Sequence, residues 1–140
     1  MRYALMIVTL ILFTHTALAA VDYKEVFKEP GTFTVTGGED IYRENCQGCH
    51  MAEGKGAHTG AGMYPALADN PSATMPEYTA HIVLYGLRGM PSFEPDLNDA
   101  QIAEIANYVS THFGNKGEGK LSEADVKSTR PEQPVAYIEY

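Results

Sequence analysis

The sequence is poor in cysteine, in positive charge and in long apolar runs. Its 140 residues include only two cysteines, so a zinc site built from four soft ligands would lack two of them. Lys and Arg number 10 against 18 Asp and Glu, which gives a formal net charge of -8. Such a charge disfavours binding to nucleic acid or to an anionic membrane surface. No segment approaches the roughly 20 apolar residues that span a bilayer.

The first residues have the pattern of a secretory signal. Arg2 precedes an apolar run from Tyr3 to Phe13, and the small-residue sequence Ala17-Leu18-Ala19 follows. We expect cleavage after Ala19, so that residues 1–19 form a signal peptide and the mature protein is periplasmic. An uncleaved anchor is the alternative, but the run is too short to cross a membrane. We therefore expect no membrane span in the mature chain.

Three segments have apolar residues at helical spacing. Residues 38–49 have two acidic side chains in the first turn, and residues 76–85 begin with proline, which suits a first helical position. The third segment follows the capping pair Asn98 and Gln101 and ends at Gly114. Its apolar stripe makes it the best-defined helix of the chain.

The remaining segments contribute little to an interior. In residues 51–72, glycines and prolines exclude regular structure, and Ser122 and Asp125 can cap one short helical turn. The sequence thus predicts an all-α protein of three to four short helices. Because these supply few apolar side chains, we expect something else to occupy the centre.

The two cysteines stand in the sequence Cys46-x-x-Cys49-His50. This is the attachment pattern for c-type haem. Cysteines three apart on a helix share one face, so each can bond one vinyl group while the following imidazole lies under the iron. A disulfide is the simplest alternative. A thioredoxin-like pair would need a preceding strand in a βαβ unit, which the sequence does not indicate.

Met90 is the candidate for the second axial position on the iron. It lies in the segment Gly89-Met90-Pro91, after a helix break and far enough from His50 to return on the opposite haem face. The flanking glycine and proline place it on a loop rather than in a packed core. Weaker candidates are Met63, Met75, His58, His81 and His112.

These features together resemble a monohaem class I cytochrome c over residues 38–114. Gly38 and Tyr42 match the positions where that family packs its first helix on its last, and Ile105 and Tyr108 match the partner positions. The segment Tyr64-Pro65-Ala66-Leu67 resembles the one that lies beside the proximal histidine. The resemblance implies the cofactor-binding residues Cys46, Cys49, His50, Met90, Pro65 and Leu67, with His50 and Met90 on iron.

The resemblance also implies a domain division and redox partners. Residues 20–37 and 115–140 are extensions before and after the cytochrome c domain, and either wrap it or bind a partner. The segments YPALADNP and LRGMPSF resemble cytochromes that serve periplasmic dehydrogenases, such as quinoprotein alcohol dehydrogenases. The expected partners are a donor dehydrogenase and a downstream oxidase or cytochrome.

A His/Met-ligated haem c implies one-electron transfer to the respiratory chain rather than catalysis. The principal alternative is a haem enzyme or sensor in which Met90 is displaced by peroxide or a gas. Arg88 is close to Met90 in sequence, but a surface or propionate-pairing cation is the simpler interpretation of it. A disulfide-bonded binding module without haem is a third reading.

Overall fold

The computed structural model describes residues 33–60 and 62–132. The predicted signal peptide and the first part of the N-terminal extension lie outside these residues. The elements, in chain order, are α1 (Gly38–Ile41), a π-helical turn (Tyr42–Cys46), α2 (Gln47–His50), β1 (Ala57–Thr59), β2 (Gly62–Tyr64), a 3-10 turn (Pro71–Thr74), α3 (Pro76–Tyr85), α4 (Asp99–Thr111) and α5 (Glu123–Thr129). The mostly helical composition confirms the predicted fold class.

Residues 51–72 depart from the expectation of no regular structure. β1 and β2 pair antiparallel, with Ala57 opposite Tyr64 and His58 opposite Met63. The Asn70 side chain then accepts a hydrogen bond from Ser72 N and caps the 3-10 turn. The prediction was wrong here because the glycines that break a helix also let the chain fold back, and the returning backbone groups pair with each other.

α4 is the central helix. Its N-terminus has the predicted capping box, in which Asn98 and Gln101 each accept a backbone hydrogen bond from the other. The predicted apolar stripe is buried from Ile102 to Val109, whereas its last member, Phe113, lies beyond the helix and is partly buried. The helix ends at Thr111, and the backbone then turns through left-handed conformations at Phe113 and Gly114.

The described helices share one cluster of buried apolar side chains. Its most deeply buried large aliphatic members are Ile41 of α1, Leu84 of α3, Ile102 and Ile105 of α4 and Val126 of α5, none more than 1% exposed. Residues beyond position 114 also contribute apolar side chains to this cluster, namely Leu121 and Val126.

The described parts of both predicted extensions pack against this cluster. Before α1, Phe33 and Val35 are partly buried, and Gln101 Nε2 donates to both of their carbonyl oxygens at 2.8 Å. After α4, Leu121 and Val126 are buried. These described residues therefore pack on the domain, and a partner-binding role of the extensions stays a prediction.

Arg130 closes the structure beside the start of α4. Its guanidinium contacts Glu94 Oε1 at 3.0 Å and Asp99 Oδ1 at 2.5 Å, and it donates to Leu97 O at 2.8 Å. Phe33 and Arg130 line the same cleft, of about 360 Å³, together with residues 95–99 and Gln101.

Candidate haem site

The π-helical turn and α2 position the two thiols and the imidazole. Cys46 is the last residue of the turn, and Cys49 and His50 belong to α2. Both cysteines are free, and Cys49 is exposed. Burial, with a smaller contribution from Cys49, raises the pKa of the Cys46 thiol to about 12. Cys46 is therefore a protonated thiol at neutral pH.

The His50 side chain is buried and held by one specific contact. His50 Nδ1 lies 2.9 Å from Pro65 O. A carbonyl oxygen only accepts, so Nδ1 is the donor, and in the neutral imidazole the lone pair is therefore on Nε2. An imidazole fixed in this tautomer is suited to bind a metal through Nε2. Pro65 therefore lies beside His50, next to which the resemblance had placed it.

Two further contacts bring the loop after α2 back beneath His50. Gly56 N donates to His50 O at 3.0 Å, and Gly54 O accepts from Leu67 N at 2.7 Å. Gly56 has a φ of 65°, and a β-carbon there would lie 2.2 Å from Tyr64 O. The backbone before Pro65 can approach this closely only because residue 56 is glycine.

Tyr42 supports the residue that follows His50. Its hydroxyl donates to Met51 O at 2.7 Å, and Met51 has a φ of 63°, in the left-handed region. Burial is the main cause that raises the pKa of Tyr42, so the hydroxyl remains a donor at neutral pH. The resemblance to the family assigned Tyr42 to helix packing. Nothing in the sequence indicated the hydrogen bond from its hydroxyl to Met51 O.

Met90 lies on a tight loop after α3, as its flanking residues predicted. Leu87 N donates to Met90 O and Met90 N donates to Leu87 O, both at 3.0 Å. The close backbone approach is at Gly86, where a β-carbon would lie 2.7 Å from Met90 O. A β-carbon at Gly89 would have no described atom within 4 Å.

The other predicted site residues lie as follows. Cys46, Leu67 and Met90 are partly buried and pack against the same apolar cluster. The weaker ligand candidates are exposed: Met63 by 64% and Met75 by 49%, along with His58, His81 and His112. Arg88 is exposed as well.

The sequence reasoning missed two residues that shape this site. Gly56 sits in the pattern Gly54-Lys55-Gly56 soon after the histidine, and closely spaced glycines could have indicated a close approach. Asn115 donates to Leu67 O at 2.9 Å, and nothing in its local sequence indicated that contact.

The donor set fits haem c better than a bare metal ion. Within residues 33–60 and 62–132, no three His, Cys, Asp or Glu side chains are grouped so that they could hold an ion. Two thiols three residues apart, followed by an oriented imidazole, fit a porphyrin held by thioether bonds. In the same part of the chain, no helix has the length and apolar character needed to cross a bilayer.

Comparison with known proteins points the same way. The family described as cytochrome c oxidase, cbb3-type, subunit III matches residues 33–109. The cytochrome c subunit of the quinone alcohol dehydrogenase of Gluconobacter oxydans is 30% identical over 106 residues, which are 66% of this chain and 22% of that protein. The fructose dehydrogenase cytochrome subunit of Gluconobacter japonicus is 36% identical over 110 residues, which are 68% of this chain and 22% of that protein.

Cytochrome c-552 of Thermus thermophilus is a shorter relative. It is 30% identical over 125 residues, which cover 71% of this chain and 92% of the relative. The chain spans about a fifth of the length of the dehydrogenase subunits but nearly all of this cytochrome. The chain has a Cys-x-x-Cys-His motif with an oriented histidine, and it matches these proteins in sequence. It therefore belongs to the cytochrome c family, whose cofactor is haem c.

Proposed function

We propose that this chain is a one-electron carrier with one haem c, attached through Cys46 and Cys49 and ligated by His50 and Met90. The observation that carries the proposal is the contact between His50 Nδ1 and Pro65 O, 2.9 Å long. It leaves Nε2 as the free nitrogen of an imidazole that directly follows the second cysteine. When bound, haem supplies a reversible one-electron couple between ferric and ferrous iron.

Attachment needs no oxidant. Cys46 and Cys49 would hold the porphyrin through thioether bonds to its two vinyl groups, and each thiol hydrogen would be retained on the neighbouring vinyl carbon. Because the Cys46 side chain is partly buried against the apolar cluster in the folded chain, we expect the addition to precede folding. Since Cys49 and His50 belong to α2, His50 would then be available as a ligand next to the attachment point.

The chain's residues keep the iron environment constant between the two oxidation states. Pro65 O orients His50 and makes its imidazole a stronger electron donor. The turn from Leu87 to Met90 aims the thioether, and a methionine ligand raises the reduction potential. Leu67 lies among the partly buried apolar residues, and such residues exclude water from the site.

The dehydrogenase relatives suggest the electron donor. Those proteins are named as cytochrome subunits of alcohol, fructose and gluconate dehydrogenases. We propose that a periplasmic dehydrogenase donates the electron and that an oxidase or another cytochrome of the respiratory chain accepts it. The net charge of -8 favours partners with a basic contact surface and makes association weaken with salt. The N-terminal segment, as a cleaved signal, accounts for export.

The test is expression with periplasmic haem maturation, with Met63→Ala as the control for Met90→Ala. We expect one haem per chain that stays attached under denaturing conditions. Met90→Ala should abolish the methionine-to-iron charge-transfer band of the ferric protein and lower the potential. Met63→Ala should preserve both, since Met63 is 64% exposed.

Three results would contradict the proposal. A colourless product would show that the chain does not carry haem. Loss of the charge-transfer band in Met63→Ala, but not in Met90→Ala, would show that the methionine ligand is Met63. Rapid binding of carbon monoxide by the native ferrous protein would favour the sensor or enzyme with a displaceable Met90.

A further inference from the structure

Asn115 is a buried polar side chain outside the predicted haem contacts. It is 6% exposed, and its amide is fully engaged. Nδ2 donates to Leu67 O and to Val109 O, both at 2.9 Å, while Oδ1 accepts from Asn70 N at 3.0 Å. A single side chain therefore joins the end of α4 to the loop that contains Pro65.

This loop is held on two sides. Leu67 N donates to Gly54 O at 2.7 Å, and Leu67 O accepts from Asn115 on the other side. Asp69 N also donates to Phe113 O at 3.0 Å. Both polar groups of the Leu67 backbone are thus fixed, two residues after Pro65.

Pro65 has no N–H, so its backbone cannot be held in place by a hydrogen bond that it donates. The direction of its carbonyl is set by the residues on either side. On one side, Gly56 permits close approach; on the other, Leu67 is held by Gly54 and Asn115.

We propose that Asn115 is a positioning residue for His50. By fixing Leu67 and Asn70, its amide keeps Pro65 O at hydrogen-bonding distance from His50 Nδ1, and so sets how strongly the imidazole donates to iron. This inference rests on the proposed function. It assigns part of the control of the potential to a residue that follows α4 and lies far from the haem-binding motif in the sequence.

Asn107 provides a matched control on α4. Its Nδ2 donates to Leu121 O and its Oδ1 accepts from Leu121 N, both at 2.8 Å. Like Asn115, it links α4 to a loop by bonds in both directions. Its partner, however, belongs to the segment that leads to α5 and not to the loop beside His50.

The experiment compares Asn115→Ala and Asn107→Ala holoproteins by redox titration and by exchange of the His50 Nδ1 proton in the ferrous state. We expect Asn115→Ala to weaken the His50–Pro65 bond, which makes imidazole a poorer donor and favours ferrous iron. At a fixed applied potential, the ferrous-to-ferric ratio should rise about fivefold, the factor of one ordinary hydrogen bond. Exchange of the His50 proton should quicken.

In Asn107→Ala, both readouts should stay at wild-type values while stability falls. Equal potentials and equal exchange in the two variants would show that Asn115 acts on stability alone, and would overturn the inference. Asn115→Ser keeps a hydroxyl donor and should give a smaller shift of the same sign. It serves if Asn115→Ala does not fold, and an unshifted potential in Asn115→Ser would then count against the role. A protein without haem overturns the proposed function as well, whereas a haem protein with unshifted potentials overturns only this inference.

Discussion

A β-carbon added to Gly38 would lie 2.4 Å from Tyr108 Cβ and 2.5 Å from Glu104 O. Real β-carbons do not come so near a non-bonded atom, so there is no room for a side chain at residue 38. α1 and α4 are therefore in close backbone contact at this point. Four residues on, Tyr42 stacks obliquely on Tyr108 with ring centroids 5.9 Å apart. The packing of the first helix on the last, which the resemblance implied, is present at these residues.

Gly38→Ala should destabilise the protein by about 2–4 kcal/mol, because the two helices must move apart to admit the methyl group. Chemical denaturation of the holoprotein measures this difference. Gly119→Ala is the control, since a β-carbon there would lie 3.4 Å from Pro76, an ordinary contact distance. A Gly38→Ala variant as stable as Gly119→Ala would show that the helices are not in close contact.

Gly56→Ala should affect both stability and the haem. The substitution forces a side chain into a left-handed conformation and against Tyr64 O, which displaces the backbone before Pro65. We expect a loss of about 2–4 kcal/mol and a higher reduction potential, as the carbonyl withdraws from His50. Denaturation and redox titration are the measurements.

Gly60→Ala is the control for that variant, because a β-carbon at Gly60 has no described atom within 4 Å. It should change neither property. An unchanged potential in a folded Gly56→Ala protein would mean that residue 56 does not govern the Pro65 carbonyl.

Arg130→Ala should cost about 2–3 kcal/mol. The side chains of Arg130, Glu94 and Asp99 are only 21%, 14% and 17% exposed, so removal of the cation leaves two carboxylates partly buried and unpaired. Arg130→Lys should recover less than half, since an ammonium group cannot reproduce the forked contacts. Thermal or chemical unfolding measures both.

Arg43→Ala is the matched surface control. Arg43 also pairs with two carboxylates, Asp40 and Glu44, but all three side chains are about half exposed. Its loss should have little effect on stability, because water and salt screen charge pairs that are this exposed. Similar losses in the Arg130 and Arg43 variants would argue against a structural role for the Arg130 network.

Ser122→Ala should weaken α5, with a cost of about 1 kcal/mol at neutral pH, because Ser122 is its N-cap. The side-chain and backbone hydrogen bonds from Ser122 lower the pKa of Asp125. A depressed folded pKa contributes stability above the unfolded value, and that contribution is lost as pH falls through the folded pKa. The difference between wild type and variant should therefore shrink in acid.

Unfolding curves from neutral pH down to the acid limit of the fold test this, with Ser128→Ala as the control on the same helix. Ser128 donates to Asp125 O and makes no cap, so its loss should have a small effect at every pH. A pH-independent cost of Ser122→Ala would mean that Asp125 does not take part in the cap.

Local signals in the sequence predicted the helices well. Pro76, the pair Asn98 and Gln101, and the pair Ser122 and Asp125 act within a few residues of themselves, so the sequence alone fixes where these helices begin. The histidine and its cysteines are also contiguous, and a motif of five residues needs no knowledge of the fold.

The contacts that join distant residues could not be predicted in this way. Asn115 meets Leu67 across 48 positions, and only the packing of the loop on α4 shows which carbonyl it reaches. Gly86 rather than Gly89 makes the close approach to Met90, because the path of the turn decides which glycine faces backbone. A pattern of glycines reveals that a tight turn exists, but not which member is indispensable.

The cleft shared by Phe33 and Arg130 has a consequence for how such a domain can be used. The first and last parts of the described chain come together at one corner, beside the start of α4. A unit with neighbouring ends can be inserted into a larger polypeptide as a side lobe, without forcing the flanking chain to cross the molecule. That arrangement suits a module which, in the long dehydrogenase subunits, corresponds to about a fifth of the whole protein.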